Sequence, residues 1–205
     1  METIAVIDFE TTGSLPAHGD RATEVAIVLL ERGQVVDRYQ SLMRTGVCIP
    51  PFVVQLTGIT QAMVDAAPPA EVVMAEASRF VGQAPMVAHN AAFDRKFWVA
   101  ELARLGLPAP QPFACTVLLS RRLYPQAPNH KLGSLVDFHG LPRTGAAHRA
   151  LADAEMTAHL LTLMQRDLCD QHGIVRPNHA FLQALQQCGK PVLARWLAAQ
   201  RANNA

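Results

Sequence analysis

Three short segments carry residues that could do chemistry together. Asp8 and Glu10 stand two apart at the end of a β-branched apolar run, Thr3 to Ile7. Side chains alternate across a strand, so both carboxylates point to one face. Two adjacent carboxylates repel, and the arrangement is costly unless they share a cation. A second apolar run, Met86-Val87-Ala88, leads through His89-Asn90-Ala91-Ala92-Phe93 to Asp94. Asn90 reads as a helix N-cap, which puts Asp94 in the first turn or so of the following helix. There it is either a partner of the helix dipole or a third carboxylate delivered to the end of a neighbouring strand. The third segment is His148-Arg149-Ala150-Leu151-Ala152-Asp153. Residues five apart on one continuous helix differ by about 140°. His148 and Asp153 therefore converge only if His148 precedes the helix, in a loop that Gly145-Ala146-Ala147 permits. An imidazole beside a cation-held carboxylate cluster suits a general base. His89 and the mid-helix His159 read as structural histidines.

The elements that must position these groups follow from periodicity. Thr3 to Ile7, Glu24 to Glu31, Val35 to Leu42 and Met86 to Ala88 read as strands, with Arg32-Gly33 turning the second into the third. The sheet thus begins as an antiparallel meander. Pro50-Pro51 breaks the pattern. Helical spacing is expected over Thr60 to Ala66, Ala70 to Val81, Ala91 to Leu105, Phe113 to Leu123, Leu132 to Phe138 and His148 to Leu168. Beyond Cys169 two further helices are expected, near Asn178 to Gln187 and Pro191 to Arg201. Strands first and helices interleaved later imply an α/β fold, a mixed sheet covered by helices.

The 205 residues, 50% hydrophobic and 17% charged, suffice for one domain with a real core. No apolar run approaches the roughly 20 residues that cross a bilayer. Met1 to Asp8 shows no signal-peptide pattern, and the expected location is cytoplasmic. Cys48, Cys115, Cys169 and Cys188 form no CxxC pair, which fits reduced and mostly buried thiols. The net charge of +1 excludes binding nucleic acid by a strongly basic coat. Setting aside Asp8, Glu10, Asp94 and Asp153 leaves +5 elsewhere. Arg95, Lys96, Arg121, Arg122, Lys131, Arg143 and Arg149 lie near the three segments and are candidates to line a polyanion's path.

Asp8-Phe9-Glu10-Thr11-Thr12-Gly13, His89-Asn90-Ala91-Ala92-Phe93-Asp94 and His148-x-Ala150-x-x-Asp153-Ala154 resemble, in order and spacing, the three motifs of the DEDDh (DnaQ-like) 3′→5′ exonucleases. The resemblance is to the proofreading epsilon subunit of bacterial DNA polymerase III and its stand-alone relatives. Leu56-Thr57-Gly58-Ile59-Thr60 resembles the family's loop between the sheet and the first helices, and Asn129-His130-Lys131-Leu132-Gly133-Ser134-Leu135 is also similar. The likeness covers residues 1–168, leaving 169–205 as a helical extension. It implies a ribonuclease-H-like fold with a five-stranded mixed sheet flanked by helices. It further implies that Asp8, Glu10, Asp94 and Asp153 hold two divalent ions, Mg²⁺ or Mn²⁺, while His148 takes a proton from the attacking water. Two such ions can hold the attacking and leaving oxygens of an in-line displacement, releasing 5′-mononucleotides. Thr11, Thr12, Leu56, Asn90 and Phe93 become candidates for gripping the terminal nucleotide, although Phe93 also reads as core. Arg149, where the tyrosine branch of the family carries Tyr, places the chain in the histidine branch.

The expected substrate is the 3′ end of single-stranded DNA, in proofreading, repair or end-trimming. The same chemistry on RNA, of the oligoribonuclease or RNase T type, is the alternative. A subunit that mainly binds a polymerase is a third reading, and related enzymes also include homodimers. The extension carries no recognisable clamp-binding sequence. Phe181, Leu182, Leu185, Val192, Leu193, Trp196 and Leu197 recur there at helical spacing and are expected to pack on the domain's own surface.

Overall fold

The computed structural model describes residues 2–145 and 148–203. β1 (Thr3–Thr11), β2 (Ala22–Glu31) and β3 (Gln34–Leu42) form an antiparallel meander. Arg32 and Gly33 turn β2 into β3 with φ values of 52° and 76°, as a tight hairpin requires. β4 (Met86–Ala88) adds parallel to β1, and β5 (Phe113–Cys115) adds parallel to β4. The five-stranded mixed sheet has the order β3-β2-β1-β4-β5, the sheet that the sequence resemblance implies.

Helices cover both faces. α1 (Pro51–Thr57), α2 (Gln61–Asp65), α3 (Ala70–Val81) and α4 (Ala91–Arg104) precede β5, while α5 (Thr116–Leu123), α6 (Leu132–Phe138), α7 (Ala150–His172), α8 (His179–Gln187) and α9 (Leu193–Asn203) follow it. The alternation of β1 decides the two cores. Ala5, Ile7 and Phe9 pack with Val73, Met74 and Ala77 of α3 and with Phe97, Trp98 and Leu102 of α4. Ile4 and Val6, with Val28 and Leu30 of β2, pack under Ala154, Ala158 and Leu161 of α7. Each fully buried large apolar side chain contributes about 1.5–3 kcal/mol. The small alanines let α7 lie close to the sheet.

Several local expectations are corrected. Pro51 opens a helix rather than ending order, because a proline in the first turn has no intrahelical N–H to lose. Leu56 and Thr57 therefore lie on α1, with Gly58 as its left-handed cap, and not in a loop. Phe113 to Cys115 is a strand, and only Thr116 onward is helical. α7 starts at Ala150 and runs to His172, so the boundary at 168 falls inside it. Asn90 holds the cap position of α4 at φ 74° without a side-chain cap hydrogen bond. Ala146 and Ala147, expected in the loop before His148, lie outside the described residues.

The extension covers a sheet edge. Gln186 of α8 accepts the Cys115 N–H at 2.7 Å, and the amides of Gln183 and Gln186 reach the Phe113 carbonyl at 3.3 and 3.4 Å. Side chains thus replace a sixth strand beside β5. Leu182, Leu185 and Leu197 join the core under α7. Cys115 and Cys188 are buried, but Cys48 and Cys169 are exposed, so only half the thiols match the expected burial.

Candidate active site

On β1 the stripe facing α7 reads Ile4, Val6, Asp8, Glu10, and on β2 the matching stripe reads Leu30, Val28, Ala26, Glu24. Both stripes change from apolar to acidic toward the same end, where Asp8 pairs across with Ala26 and Glu10 with Glu24. α7 lies over them with its first turn at the acidic end and delivers Asp153 there. Asp94, in the first turn of α4, comes from the other side. Its carboxylate accepts the Phe9 N–H at 3.2 Å, so it sits on the β1 backbone between Asp8 and Glu10. Both earlier readings of Asp94 hold at once: it stands at a helix start and joins the cluster.

His148 precedes α7, as convergence demanded. Its φ of 60° turns the chain back, and its N–H donates to Asp153 at 3.0 Å. Its ring remains exposed. Glu10, His148 and Asp153 each present a ligand atom, all within 4.8 Å of one another.

Asp8, Glu10, Asp94, His148 and Asp153 line one cavity of about 330 Å³, together with Thr11, Leu56, Phe93, Phe52 and His89. Thr12 and Asn90 are not in its wall. The Thr12 hydroxyl accepts the Arg21 N–H at 3.0 Å and holds the turn after β1. In that turn a side chain at Gly13 would collide with the Asp20 carboxylate. Phe93 serves both expectations, lining the cavity while packing on Phe97 at 5.1 Å between ring centres. Phe52 was not singled out from the sequence. It stands one helical turn before Leu56 on α1, and the two are 63% and 53% exposed. Two large apolar side chains that stay wet beside a polar cavity offer a surface for a planar apolar face. The signal in the sequence was the four-residue spacing, hidden because Pro51 disguised the helix.

The electrostatics are those of an unneutralised cluster. Burial, then the charges of Asp94, Glu10 and Asp153, raise the Asp8 carboxyl well above its ordinary value. Burial, with Asp153, Glu24 and Asp94 adding repulsion, pushes Glu10 up to about 8, against a small opposing effect of Arg149. Burial pushes Asp94 to about 8 despite the Phe9 N–H. Burial raises Asp153 too, against the His148 N–H. Four carboxylates pressed together in this way fit hard divalent cations such as Mg²⁺ or Mn²⁺, which prefer oxygen donors. His89 differs. Burial lowers it to about 4, its Nε2–H donates to the His130 carbonyl at 3.0 Å and its Nδ1 accepts from Thr116 at 2.8 Å. It is a neutral structural ring in the cavity wall.

None of the seven basic residues expected along a polyanion's path lines the cavity. Arg149 pairs with Glu24, Arg143 with Asp137, and Lys96 donates to the Ser14 carbonyl above the Phe93 ring. Arg122 donates to the carbonyls of Cys188 and Leu118. The side chains of Arg95, Arg121 and Lys131 make no hydrogen bond or ion pair among the described residues.

A sequence model of the RNase T exonuclease family matches residues 5–161, and the chain belongs to that family, in its DEDDh, DnaQ-like branch. Among its relatives, the PolC-type DNA polymerase III of Halalkalibacterium halodurans is 36% identical over 201 residues, covering 90% of this chain and 14% of the polymerase. The 3′-5′ exonuclease DinG of Bacillus subtilis is 38% identical over 157 residues, covering 76% of this chain and 17% of DinG. The chain thus spans under a fifth of the length of these relatives. Exonuclease X, solved in complex with 5′ overhanging duplex DNA, superposes with a TM-score of 0.65 at 31% identity, over 80% of this chain and 91% of that one. The nuclease domain of 3′hExo, a DEDDh family member bound to rAMP, shares the fold with a TM-score of 0.69 at 23% identity, over 82% and 94%.

Proposed function

We propose that this chain is a metal-dependent 3′→5′ exonuclease that hydrolyses the terminal phosphodiester of single-stranded DNA and releases 5′-mononucleotides. The observation that carries the proposal is the convergence, in one cavity, of four carboxylates, two buried (Glu10 and Asp94) and two half-buried (Asp8 and Asp153), and an exposed imidazole beside two wet apolar side chains. Asp8, Glu10, Asp94 and Asp153 are the residues that would hold two divalent ions, which supply Lewis-acid charge for the attacking and leaving oxygens. His148, exposed at the mouth, accepts the proton of the attacking water. Its backbone N–H on Asp153 holds the base beside the carboxylates. Phe52 and Leu56 receive the terminal base by stacking and apolar contact, which tolerates any sequence. Thr11 and Phe93 complete the wall around the nucleotide, while Thr12 and Asn90 act through the backbone turns they shape.

DNA is favoured by the company the chain keeps, since its relatives are a DNA polymerase and DinG, and exonuclease X is bound to DNA. Association with a polymerase belongs to the same proposal, as does a cytoplasmic location. No helix among the described residues is long and apolar enough to cross a membrane. The test uses 5′-labelled single-stranded DNA and RNA of one sequence with Mg²⁺, Mn²⁺ or a chelator, and Asp8→Ala alongside. A metal-dependent ladder shortening from the 3′ end of DNA, absent in the variant, is expected. Faster loss of RNA would transfer the same residues to an exoribonuclease. No cleavage of either by the folded, metal-supplied protein would overturn the enzyme reading.

A further inference from the structure

His148 stands in a position that is hard to hold. It is exposed, it precedes the helix rather than belonging to it, and its φ of 60° lies in the left-handed region that residues with a side chain rarely adopt. Such a conformation persists only where neighbours over-determine it. One neighbour is Asp153, which accepts the His148 N–H. The stronger tie runs through the next two residues to the sheet. Glu24 of β2 accepts from Arg149 Nη2 at 2.9 Å and Nε at 3.2 Å, and from the Ala150 N–H at 3.1 Å. The Gln40 amide donates to the same carboxylate at 2.7 Å. Glu24 is fully buried and lies directly across from Glu10.

The two facing glutamates therefore have different work. Glu10 opens into the cavity with no arginine or lysine ion pair among the described residues, whereas both oxygens of Glu24 are taken by Arg149, Ala150 and Gln40. Glu24 is not a cavity residue and has no free acceptor to offer a metal. What it does instead is fasten the first turn of α7, and the residue after the base, to a central strand. Burial alone would raise its carboxyl, but the Arg149, Gln40 and Ala150 hydrogen bonds hold it below its ordinary value, so it stays charged and keeps its grip.

We propose that Glu24, through Arg149 and the Ala150 N–H, is a positioning residue that sets where the His148 imidazole stands relative to the carboxylate cluster. The inference rests on the function proposed above, because it concerns the base of that reaction. Glu24→Gln keeps the shape but loses the charge and one acceptor, so the bracket loosens while the cavity ligands remain.

The test compares wild type, Glu24→Gln, His148→Ala and the double variant on labelled single-stranded DNA with Mn²⁺. Loss of such an outer support typically costs about 10–100-fold in activity. Glu24→Gln is expected to lose that much in kcat with KM within about twofold, and to cost no more than about twofold when added to His148→Ala. Amide exchange of the metal-free protein supplies a reading independent of catalysis. Residues 148–152 should exchange faster in Glu24→Gln, while β4 is unchanged. If that variant fails to fold, Arg149→Lys, which keeps the charge but not the two-pronged contact, should show the same pattern more weakly. An equal loss in both backgrounds, an unchanged kcat, or unchanged exchange at 148–152 overturns the proposal. A wild type that cleaves neither DNA nor RNA overturns the proposed function instead. The exchange data then still decide whether Glu24 holds the loop.

Discussion

Two sets of buried and half-buried acids in this molecule meet opposite fates. Glu24 and Glu101 are each matched by an arginine. Arg21 reaches Glu101 through Nε at 2.9 Å and Nη2 at 2.8 Å, and the Ala22 N–H adds a third donor, as Ala150 does for Glu24. Glu10 and Asp94 are buried and Asp8 and Asp153 half-buried, but among the described residues the four make no ion pair with an arginine or lysine, and they repel one another. The first set spends its charge on fixing the chain, with Glu101 tying α4 to the start of β2 and Glu24 tying α7 to β2. The second set makes no such arginine pair and turns its oxygens to the cavity, toward something that arrives from outside. A protein able to pair buried carboxylates twice, and leaving four unpaired at the end of its central strand, stores destabilisation where binding can release it.

That contrast can be broken most severely at Asp8. Asp8→Asn should abolish nuclease activity while raising the melting temperature of the metal-free protein by about 2–4 °C for each kcal/mol of relieved repulsion. Thermal unfolding with chelator present, beside the gel assay, checks both halves. The paired set should respond in the other direction. Glu101→Ala leaves the largely buried Arg21 guanidinium with the Thr45 carbonyl but no carboxylate, and breaking a buried pair costs about 3–5 kcal/mol, readable by denaturant titration. Acidity sharpens the comparison further. Glu10 and Asp94 titrate near 8 when folded, against ordinary values of 4.5 and 3.8. Between about pH 4 and 8 the folded metal-free chain holds protons that the unfolded chain has released. The stability these two groups contribute should therefore fall as pH rises through that window, while the lowered His89 acts the other way below about 6.5. Glu24, held below 4.5, contributes stability that is present above that value and lost below it. Melting curves from pH 6.5 to 8, above the range in which the lowered His89 opposes the trend, should decline toward pH 8 with chelator and flatten with Mn²⁺. The smallest effect is expected outside both sets. Phe52→Ala, at a side chain 63% exposed, should raise KM several-fold, since a stacked base is worth about 1–3 kcal/mol, and leave stability within about 0.5 kcal/mol.

The acids were legible in the sequence because their positions follow from local geometry. Alternation along β1 put Asp8 and Glu10 on one face, and the five-residue spacing of His148 and Asp153 demanded a break before the helix, which the structure supplies at Arg149. The pairing of the other acids was not legible. Glu24 meets Arg149 across 125 positions and Arg21 meets Glu101 across 80, contacts that only the sheet register and helix packing create. Glu24 itself lay in an apolar run and read as a strand terminus. Arg149 read as a candidate for nucleic acid when it was committed to the fold. β5 escaped because its three residues run straight into α5 and read as that helix's start, and α1 because its proline opens the helix. The role of α8 escaped because glutamine amides replacing a strand leave no pattern in hydrophobicity.

The most direct test of the account is calorimetric titration of Mn²⁺ into the metal-free protein near pH 7.5, in two buffers of different ionisation enthalpy, with Asp8→Asn as the comparison. Carboxylates held partly protonated by burial and by mutual repulsion must release protons when cations bind. The account predicts two ions per chain, a net proton release that differs between the buffers, and weaker binding with less release in the variant. Binding without proton release, or identical binding by Asp8→Asn, would contradict it.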